Sequence, residues 1–581
     1  MNYTEEQKSC IEEALNGESF IINACPGSGK THTLVGIGRE LSIDGKVGII
    51  GCYNKDTANE LGKKTNGIKN ISALTMHSLA YRVLAKDNLL DTSRVGNLTS
   101  HTISKLINKE KIIVMPEFVE FSKEYSTTVG EKMAGFMTLS GPRLSYMINS
   151  TLTSFWNSED YEFSDFHAKK IATDIINYYQ RFAKAQIKDI NENSENMLSS
   201  IVAASLTEIL ERTSSTIVND LSKNLFDISK KILTQIESPD GGIPIPFDYF
   251  LKKASILLAH KEIKFPKIDY LMVDEGQDSN GATLTICKAL NDIGVQIISA
   301  GDPLQQINSW RSSINAFEQN TFRKSKSLTQ CFRFGPEIAT LVNNYARESM
   351  IDTNYDMKGN PEIKSVIDKV GKDKANAVLC RSNAAVIDEA LKIMQSGGTP
   401  WAPKATELLS LIDGIKKLQR GVSSSHPELC HFGSFDEYVN YAYSGEDPKQ
   451  KSLFLMYRKY GPERLENMIK TISVKNDRTT TVVSTIHSSK GLEWPTVVIA
   501  GDIDINNLDA RRESHREEYR LFFVALTRAK YAIDPYEPLE KSFFKKLLPP
   551  HKHGFRTAEA LNIVKQEALK AKQVNKFELG I

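Results

Sequence analysis

The stretch Phe20-Ile21-Ile22-Asn23-Ala24-Cys25-Pro26-Gly27-Ser28-Gly29-Lys30-Thr31 decides the fold. A short run of β-type residues is followed by a glycine-rich turn and then by a helical pattern from Thr31 to Leu41. Strand, turn and helix in this order are the setting that a phosphate-binding loop requires. The alternative is a chance glycine-rich turn, but the flanking strand and helix argue against it.

Each residue type in this turn suits phosphate binding. Gly27 and Gly29 would let backbone N–H groups close around a phosphate at the start of a helix. Lys30 would reach the outer phosphate oxygens, and the Thr31 hydroxyl would bind Mg²⁺. Ala24 stands where such loops usually have their first glycine. We therefore predict that residues 24–31 bind the phosphates of a nucleotide.

Two adjacent carboxylates follow another apolar strand, Tyr270-Leu271-Met272-Val273. Asp274 can hold Mg²⁺ through water, and Glu275 can polarise a water molecule that attacks the terminal phosphate. An exposed acidic strand end is the alternative. The phosphate-binding turn earlier in the chain favours the catalytic interpretation.

Two further segments each carry one arginine that suits phosphoryl transfer. Leu328–Phe334 contains Arg333, and Val524–Lys530 contains Arg528. A guanidinium that reaches the terminal phosphate stabilises the charge of the transition state and is worth about 10³ to 10⁵ in rate. Each arginine by itself would more often form a surface ion pair, so the prediction depends on the whole set of motifs.

Other strand-like runs predict how the chain is organised. They are Val47–Gly51, Ile268–Val273 and Val295–Ala300 in the first part, and Ala377–Cys380, Thr481–Thr485 and Thr496–Ala500 in the last part. Long stretches of helical periodicity separate these runs. We therefore predict an α/β protein with two parallel-sheet domains, each with a mostly helical insertion.

Composition and charge exclude several classes of protein. The 581 residues are 40% hydrophobic and 25% charged, which is typical of globular proteins. The seven cysteines include no Cys-x-x-Cys pair, so neither a disulfide framework nor a zinc site is indicated. The net charge of +2 says nothing about a polyanionic partner, but residues 541–581 carry nine Lys or Arg against three Glu. We expect no membrane segment and no signal peptide, and an intracellular protein, cytoplasmic or nuclear according to its source.

In its ordered motifs, from Gln7 to Lys530, the sequence resembles the superfamily 1 DNA helicases of the UvrD/Rep type. The resemblance implies two RecA-like P-loop domains with ATP and Mg²⁺ between them. It also implies that Gln7 reads adenine and that Phe332 stacks on it. Gln305 would sense the terminal phosphate, and Glu493 would lie near the ribose.

The same resemblance implies a row of contacts to single-stranded DNA. These contacts would come from Asn54, Lys55, Thr75, His77, Trp310, Thr485 and His487. Amide, hydroxyl and imidazole groups suit phosphate contacts, and an indole supplies a stacking face for a base. A histidine or tryptophan alone would more often belong to the core. Asn308 stands where the family usually has Tyr, which removes one aromatic ring from the DNA face.

The resemblance also sets the expected domain boundaries. The first RecA-like domain is predicted at 1–89 and 245–322, with a helical insertion at 90–244. The second is predicted at 323–383 and 479–540, with a small insertion at 384–478, and 541–581 is a basic tail. Because Pro535 follows the last motif closely, we expect the final strand to be short or bent.

The predicted function is an ATP-dependent DNA helicase that moves 3′ to 5′ on single-stranded DNA and acts on tailed duplexes. The wording of motifs such as Gln330–Ile338 is most similar to the F-box DNA helicase branch, although we expect no F-box segment. Two alternatives stay open: a DNA-binding scaffold that hydrolyses nothing, and the motor subunit of a helicase–nuclease. A protein partner, such as a loading factor or a nuclease, is possible but not identified by the sequence.

Overall fold

The computed structural model of the chain describes residues 3–107, 110–114, 120, 138–163, 172–177, 204–205, 207–208, 215–307, 324–352, 354–426, 428–430, 432–444, 448–475, 481–506, 508–509, 511–549 and 566. The chain divides into two compact units. The first comprises Met1–Val83, Ala254–Ala405 and Lys470–Ile581, and the second comprises Leu84–Lys253 and Thr406–Ile469. No helix among the described residues is both long enough and apolar enough to cross a membrane.

The described strands, in chain order, are β1 Phe20–Ala24, β2 Gly48–Cys52, β3 Ile71–Thr75, β4 Lys111–Ile113, β5 Thr138–Ser140, β6 Tyr270–Asp274, β7 Gln296–Gly301, β8 Lys324–Leu328, β9 Val366–Ile367, β10 Ala377–Cys380, β11 Pro400–Trp401, β12 Thr481–Thr485, β13 Trp494–Ile499 and β14 Ala529–Asp534.

The described α-helices are Glu5–Leu15, Lys30–Ile43, Lys55–Lys64, Met76–Lys86, Ser100–Ile107, Gly141–Trp156, Ser215–Glu237, Phe247–Ala259, Gly281–Asp292, Pro336–Glu348, Asn383–Gln395, Glu407–Gln419, Phe435–Ser444, Pro448–Tyr460, Pro462–Ser473, Glu513–Leu526 and Tyr536–Glu540.

Both large sheets lie in the first unit and are parallel throughout. The first has the strand order β3-β2-β6-β7-β1-β8, and the second has the order β11-β12-β10-β13-β14-β9. Strands β2 and β6 are buried along their whole length, because helices cover both faces of a parallel sheet. Gly48 in β2 lies under the ring of Tyr270, and a Cβ atom there would be 2.1 Å from that ring. The predicted fold of two parallel-sheet α/β domains is confirmed.

The topology brings the chemistry of the first sheet to one edge. Strands β1, β6 and β7 are neighbours, and all three run in the same direction. The segments after their carboxyl ends therefore meet, which is where parallel sheets bind ligands. These segments are the loop that contains Lys30, the Asp274–Glu275 pair, and the turn that begins at Asp302.

The second unit is mostly helical, with an antiparallel pair formed by β4 and β5. Within it, Phe435–Ser444 packs against Pro448–Tyr460 through aromatic edges, with the Tyr438 and Phe454 ring centroids 5.8 Å apart. Lys416 pairs with Glu466 at 3.1 Å. The two predicted insertions thus contribute to one compact unit.

Three details of the first unit differ from the sequence-based expectations. Strand β8 pairs with β1 and belongs to the first sheet, whereas the second domain was expected to begin at residue 323. Helix Asn383–Gln395 packs on β10 and β12, and strand β11 pairs with β12, so the insertion is shorter than 384–478. The final strand, β14, has six residues and ends at Asp534, directly before Pro535, so it is not short, but its pairing with β13 is irregular between Trp494 and Thr496.

Candidate nucleotide-binding site

A cavity of about 450 Å³ lies beside the glycine-rich turn of residues 24–31 in the first unit. All eight residues from Ala24 to Thr31 line it. Gly27 and Gly29 have φ angles of 72° and 75°, a region that favours glycine. A Cβ atom on Gly27 would lie 2.7 Å from Cβ of Arg333, so a side chain there would clash with the segment after β8.

Lys30 begins the helix that follows the turn and forms two ion pairs. Its Nζ lies 2.5 Å from Oε1 of Glu275 and 3.5 Å from Oδ1 of Asp274. Burial disfavours the ammonium, but the two carboxylates outweigh burial and raise the pKa of Lys30. Lys30 is therefore charged at any physiological pH.

The carboxylates after β6 have different environments. Asp274 is almost fully buried, and burial raises its pKa even though Lys30 opposes the shift. Burial also tends to raise the pKa of Glu275, but Lys30 and Lys490 outweigh burial and hold that pKa below its usual value. Glu275 is thus ionised at neutral pH.

The backbone of Glu275 has an unusual conformation, and hydrogen bonds hold the residue in place. Its φ of 55° and ψ of 46° are left-handed, a conformation that costs energy for a side chain other than glycine. The Glu275 N–H donates to Oδ1 of Asp274 at 3.0 Å, and Nε2 of Gln277 donates to Oε2 of Glu275 at 2.6 Å. These bonds fix the carboxylate at the edge of the cavity.

Gln305 joins the two sheets. Its Nε2 donates to Oδ2 of Asp302 at 2.8 Å, and its Oε1 accepts from Nη2 of Arg528 at 2.9 Å. The N–H of Asp302 in turn donates to Oε1 of Gln277 at 3.2 Å, and burial raises the pKa of Asp302 to about 6. A continuous hydrogen-bonded chain therefore runs from Glu275 to Arg528.

Arg528 is 1% exposed and is held by backbone carbonyls of the helix Glu513–Leu526 and of the segment before β13. Its Nε donates to the carbonyl of Val524 at 3.0 Å, and its Nη1 donates to that of Leu492 at 3.3 Å. Burial, reinforced by the nearby Arg333, lowers its pKa. A guanidinium stays protonated at neutral pH despite such a shift, so Arg528 is a fixed positive charge in the cavity wall.

Arg333 lies on the segment between β8 and the helix Pro336–Glu348. Its Nε donates to Oε2 of Glu493 at 2.6 Å, and its Nη1 donates to the carbonyl of Thr527 at 2.8 Å. Glu493 also pairs with Nζ of Lys530 at 2.5 Å. Burial disfavours the ionised form of Glu493, but Arg333 and Lys530 lower its pKa.

Lys490 forms a second link between the sheets. Its Nζ lies 2.5 Å from Oδ2 of Asp278 and 2.7 Å from the carbonyl oxygen of Gln305. Asp278 and Gln305 belong to the first sheet's loops, and Lys490 follows β12 of the second sheet. The segment after β7 is thus bound from the second sheet by both Lys490 and Arg528.

The other end of the cavity is less polar. Phe332, Ile363 and Tyr531 line it, and the N–H of Phe332 donates to the carbonyl of Gly27 at 2.8 Å. Gln7 is 3% exposed and does not line the cavity. Its side-chain oxygen accepts from the N–H of Thr4 at 3.1 Å as part of a helix cap, and its Nε2 donates to the carbonyl of Ser28 in the turn at 3.5 Å.

The predicted DNA contacts lie at the ends of strands or the starts of helices. Asn54 caps the helix that begins at Lys55, with its Oδ1 accepting from the N–H of Thr57 at 2.8 Å. Thr75 and His77 follow β3, and Thr485 and His487 follow β12. Burial, with Arg381 nearby, lowers the pKa of His487 to about 4. Trp310 and Asn308 lie outside the described residues, as does most of the basic tail.

The sequence analysis missed residues that hold the site together. Gln277, Asp278 and Asp302 were given no role, and Lys490 was not predicted to link the sheets. Glu6 was also missed, although its carboxylate accepts from the N–H and hydroxyl of Thr329. The sequence shows these residues but not their partners, which lie up to 323 residues away.

Comparison with protein families matches both halves of the chain. Residues 3–324 match the model for the UvrD/REP helicase N-terminal domain, and residues 444–533 match that for the UvrD-like helicase C-terminal domain. The first match covers more than half of the chain.

Two curated proteins are similar to the chain. F-box DNA helicase protein 1 of Schizosaccharomyces pombe is 24% identical over 566 residues, which are 91% of this chain and 56% of that protein. F-box DNA helicase 1 of Gallus gallus is 26% identical over 313 residues, which are 47% of this chain and 29% of that protein. The matches thus span about half or less of the relatives' own length.

Proposed function

Because the chain belongs to the UvrD/REP helicase family, we propose that it is a DNA helicase that hydrolyses ATP and moves 3′ to 5′ along single-stranded DNA. One observation supports this proposal more than any other. Arg528 of the second sheet donates to Gln305 of the first at the wall of the cavity that contains Lys30 and Glu275. A hydrolysis site built from two sheets can convert a change at the phosphate into a movement of one sheet against the other.

The residues of the cavity fit ATP with Mg²⁺. Gly27 and Gly29 leave room that a Cβ would fill, and their left-handed backbone forms the concave turn that anions require. Lys30 would hold the phosphates, while Thr31 and Asp274 would hold the metal ion. When bound, ATP supplies the free energy of its terminal phosphoanhydride bond.

The residues of this chain have distinct tasks in the proposed reaction. Glu275 accepts the proton of the attacking water, and Gln277 keeps its carboxylate oriented. Arg528 and Arg333 stabilise negative charge that develops on the phosphoryl oxygens. Gln305 contacts both Asp302 and Arg528, so it couples the first sheet to the charge state of the site.

At the other end of the cavity, Phe332 is placed to stack on the base. Its side chain is 44% exposed and lies 3.7 Å from the position of a Cβ on Gly29. Glu493 lies between Arg333 and Lys530, and we propose that it faces the ribose. For Gln7 we propose reading of the base edge, which requires its amide to give up the bond to Thr4.

The DNA proposal is supported by two turns of similar sequence and geometry. Thr75 and His77 end the first sheet's β3, and Thr485 and His487 end the second sheet's β12. Hydroxyl and imidazole groups at these turns suit phosphate contacts on a single strand, with Asn54, Lys55 and Trp310 adding further contacts. The 3′-to-5′ direction comes from the family resemblance alone.

We propose tailed duplex DNA as the substrate and the inside of the cell as the place of action. The two curated relatives are named as DNA helicases, which favours DNA over RNA. No described feature of the site identifies a loading factor or a nuclease as partner.

Phosphate release with and without single-stranded DNA tests the proposal. We expect hydrolysis that DNA stimulates and that Lys30→Ala abolishes, because the ammonium that holds the phosphates is gone. DNA binding without hydrolysis would instead support a scaffold. Hydrolysis that ignores DNA would contradict the coupling that the two-sheet cavity implies.

A further inference from the structure

A second cavity, of about 700 Å³, lies at the opposite edge of the first sheet from the nucleotide site. We call it the basal groove. Its walls come from the segment before β6, the residues before β7, and the end of the helix Gly281–Asp292. Because these segments precede the strands, the groove lies at the amino-terminal edge, away from Lys30 and Glu275. The residues that line it include Lys46, Lys261, Lys264, Lys267, Phe265 and Ile293.

The basal groove is strongly basic. Four of its lining residues are lysines, and Asp269 is the one carboxylate among its described lining residues. Oδ2 of Asp269 already accepts from the N–H of Val47 at 2.7 Å. Within the described part of the chain, none of the four lysines forms an ion pair. The groove therefore has several positive charges and little to balance them.

The floor and rim of the basal groove are apolar. Phe265 and Pro266 are half-buried, and Ile293 at the rim is 57% exposed. Further apolar side chains are exposed at this same edge, where the preceding helices end: Leu15 is 40% exposed and Ile43 is 73% exposed. Exposed apolar side chains beside a rim of charged residues are typical of protein interaction sites.

Lys261 has a backbone conformation that points to use of its side chain. Its φ is 59°, in the left-handed region that glycine usually occupies after a helix. The turn is closed by the N–H of Lys261, which donates to the carbonyl of Leu258, and by that of Glu262, which donates to Leu257. A glycine would adopt this backbone conformation without strain, yet the chain has a lysine here, and its ammonium adds positive charge to the groove.

We propose that the basal groove is the docking site for an acidic segment of a partner protein that also carries apolar side chains. The four lysines match its carboxylates, and the floor around Phe265 and Ile293 matches its apolar residues. A nucleic-acid strand also matches the lysines, but its phosphates would leave the apolar floor uncovered. The combination of charge and apolar surface therefore favours a peptide over a polynucleotide.

Fluorescence anisotropy of a labelled peptide of alternating Glu and Leu tests this proposal. We expect the peptide to bind the full chain, and the triple variant Lys261→Glu, Lys264→Glu, Lys267→Glu to bind it at least about tenfold more weakly. A peptide of alternating Lys and Leu should not bind. Affinity for the acidic peptide should also fall as salt rises, because exposed charges are screened.

A matched triple variant controls for net charge. Lys374, Lys404 and Lys545 are exposed and lie outside both the basal groove and the nucleotide site. Their replacement by Glu should change peptide affinity by less than about twofold. Equal weakening in both triple variants would overturn the proposal, because the effect would then come from overall charge.

Two single variants separate the contribution of the lysine charge from that of the apolar surface. Lys261→Gly should weaken the peptide while leaving the thermal unfolding temperature unchanged or higher, because glycine relieves the left-handed strain. Ile293→Ser should weaken the peptide several-fold and leave the binding of a labelled oligothymidylate unchanged. If the groove triple variant loses the oligothymidylate instead, and Ile293→Ser has no effect on the peptide, the surface binds nucleic acid and the proposal is wrong. Hydrolysis of ATP, which tests the nucleotide site separately, should be the same in all these variants.

Discussion

Each of the two large sheets has a turn of similar sequence and geometry, but the two sheets contribute different residues to the cavity. After β3 the chain reads Thr75-Met76-His77-Ser78, and after β12 it reads Thr485-Ile486-His487-Ser488. In the first turn the Ser78 N–H donates to Oγ1 of Thr75 at 3.1 Å, and in the second the Ser488 N–H donates to Oγ1 of Thr485 at 3.2 Å. The two hydroxyl groups of each turn are also bonded, at 2.8 and 3.0 Å.

The nucleotide sides of the sheets are, by contrast, complementary. The first sheet brings the phosphate-binding turn, two carboxylates and Gln305, and the second brings Arg528, Glu493 and Lys490. The first sheet thus holds the residues proposed to bind the nucleotide and to activate water, and the second sheet holds cations that reach across the cavity. Under the proposed function, the similar turns would allow both sheets to hold the same DNA strand, and the unlike cavity walls would make the separation of the sheets depend on the nucleotide.

The largest effect should come from a cation that reaches across the cavity. Arg333→Ala should slow hydrolysis about a thousandfold, because charge stabilisation in the transition state is lost. Affinity for ATP should change far less, since Lys30 remains in place. Stopped-flow phosphate release and equilibrium nucleotide binding measure the two quantities separately.

Arg347→Ala is the matched control for that variant. Arg347 lies on the next helix and pairs with Asp356 at 3.5 Å, away from the cavity. It should hydrolyse ATP like the wild type. A tenfold loss of ATP affinity in Arg333→Ala with unchanged turnover would contradict the assignment.

A smaller loss is expected from the first sheet's carboxylate. Glu275→Gln should bind ATP well and turn over about a hundredfold more slowly, because the amide keeps the shape but cannot accept the proton. Glu493→Gln, the comparable change across the cavity, should affect nucleotide affinity more than turnover. Single-turnover hydrolysis measures this difference between the two variants. Turnover of Glu275→Gln within threefold of wild type would contradict the role proposed for Glu275.

The paired turns predict equal and modest effects on DNA binding. Thr75→Val and Thr485→Val each remove a hydroxyl that supports its turn, and a hydrogen bond is worth about 1 kcal/mol. Each variant should therefore bind a labelled oligothymidylate about fivefold more weakly. If one variant binds like wild type and the other loses binding, the two turns do not play equivalent parts.

The smallest effect concerns the charge of His487. Because burial lowers its pKa to about 4, His487 is neutral between pH 6 and pH 8 and adds no charge to a DNA contact. His487→Gln should leave the slope of log affinity against log salt unchanged, whereas loss of a neutralising cation would shift it by about 0.7.

The same residue has a pH signature in stability. The folded-state pKa of His487 lies below the unfolded value, so the unfolded chain binds more protons and stability falls as pH drops from about 6.5 to about 4. His487→Gln should lose less stability over that range. Thermal unfolding at several pH values checks this, and identical pH profiles would refute the buried neutral imidazole.

The sequence predicted the apolar elements well and the polar ones poorly. Strand β1, Phe20–Ala24, is the short β-type run predicted before the glycine-rich turn, because an apolar run in that position is unambiguous. Strand β8, Lys-Ser-Lys-Ser-Leu, was missed because it is a mostly polar edge strand that pairs with β1 on one side only. Periodicity cannot detect such a strand.

The site shows the same division. Lys30, Glu275, Gln305, Arg333 and Arg528, which the motifs predict as residues of the ATP site, all line one cavity. The bonds among them run through Gln277 and Asp302, and these depend on which strands are neighbours in the sheet. Strand order is set by packing of distant segments, so the sequence indicated the components of the site and not their connections.

Strand separation on tailed duplexes tests the central claim most directly. The wild-type chain, with ATP and Mg²⁺, should separate a duplex that has a 3′ single-stranded tail, whereas Lys30→Ala and Arg333→Ala should not, although both should still bind the tail. A blunt or 5′-tailed duplex should be separated little. Separation by wild type that does not require ATP, or that persists in Lys30→Ala, would contradict the claim that one nucleotide cavity shared by two sheets drives the movement.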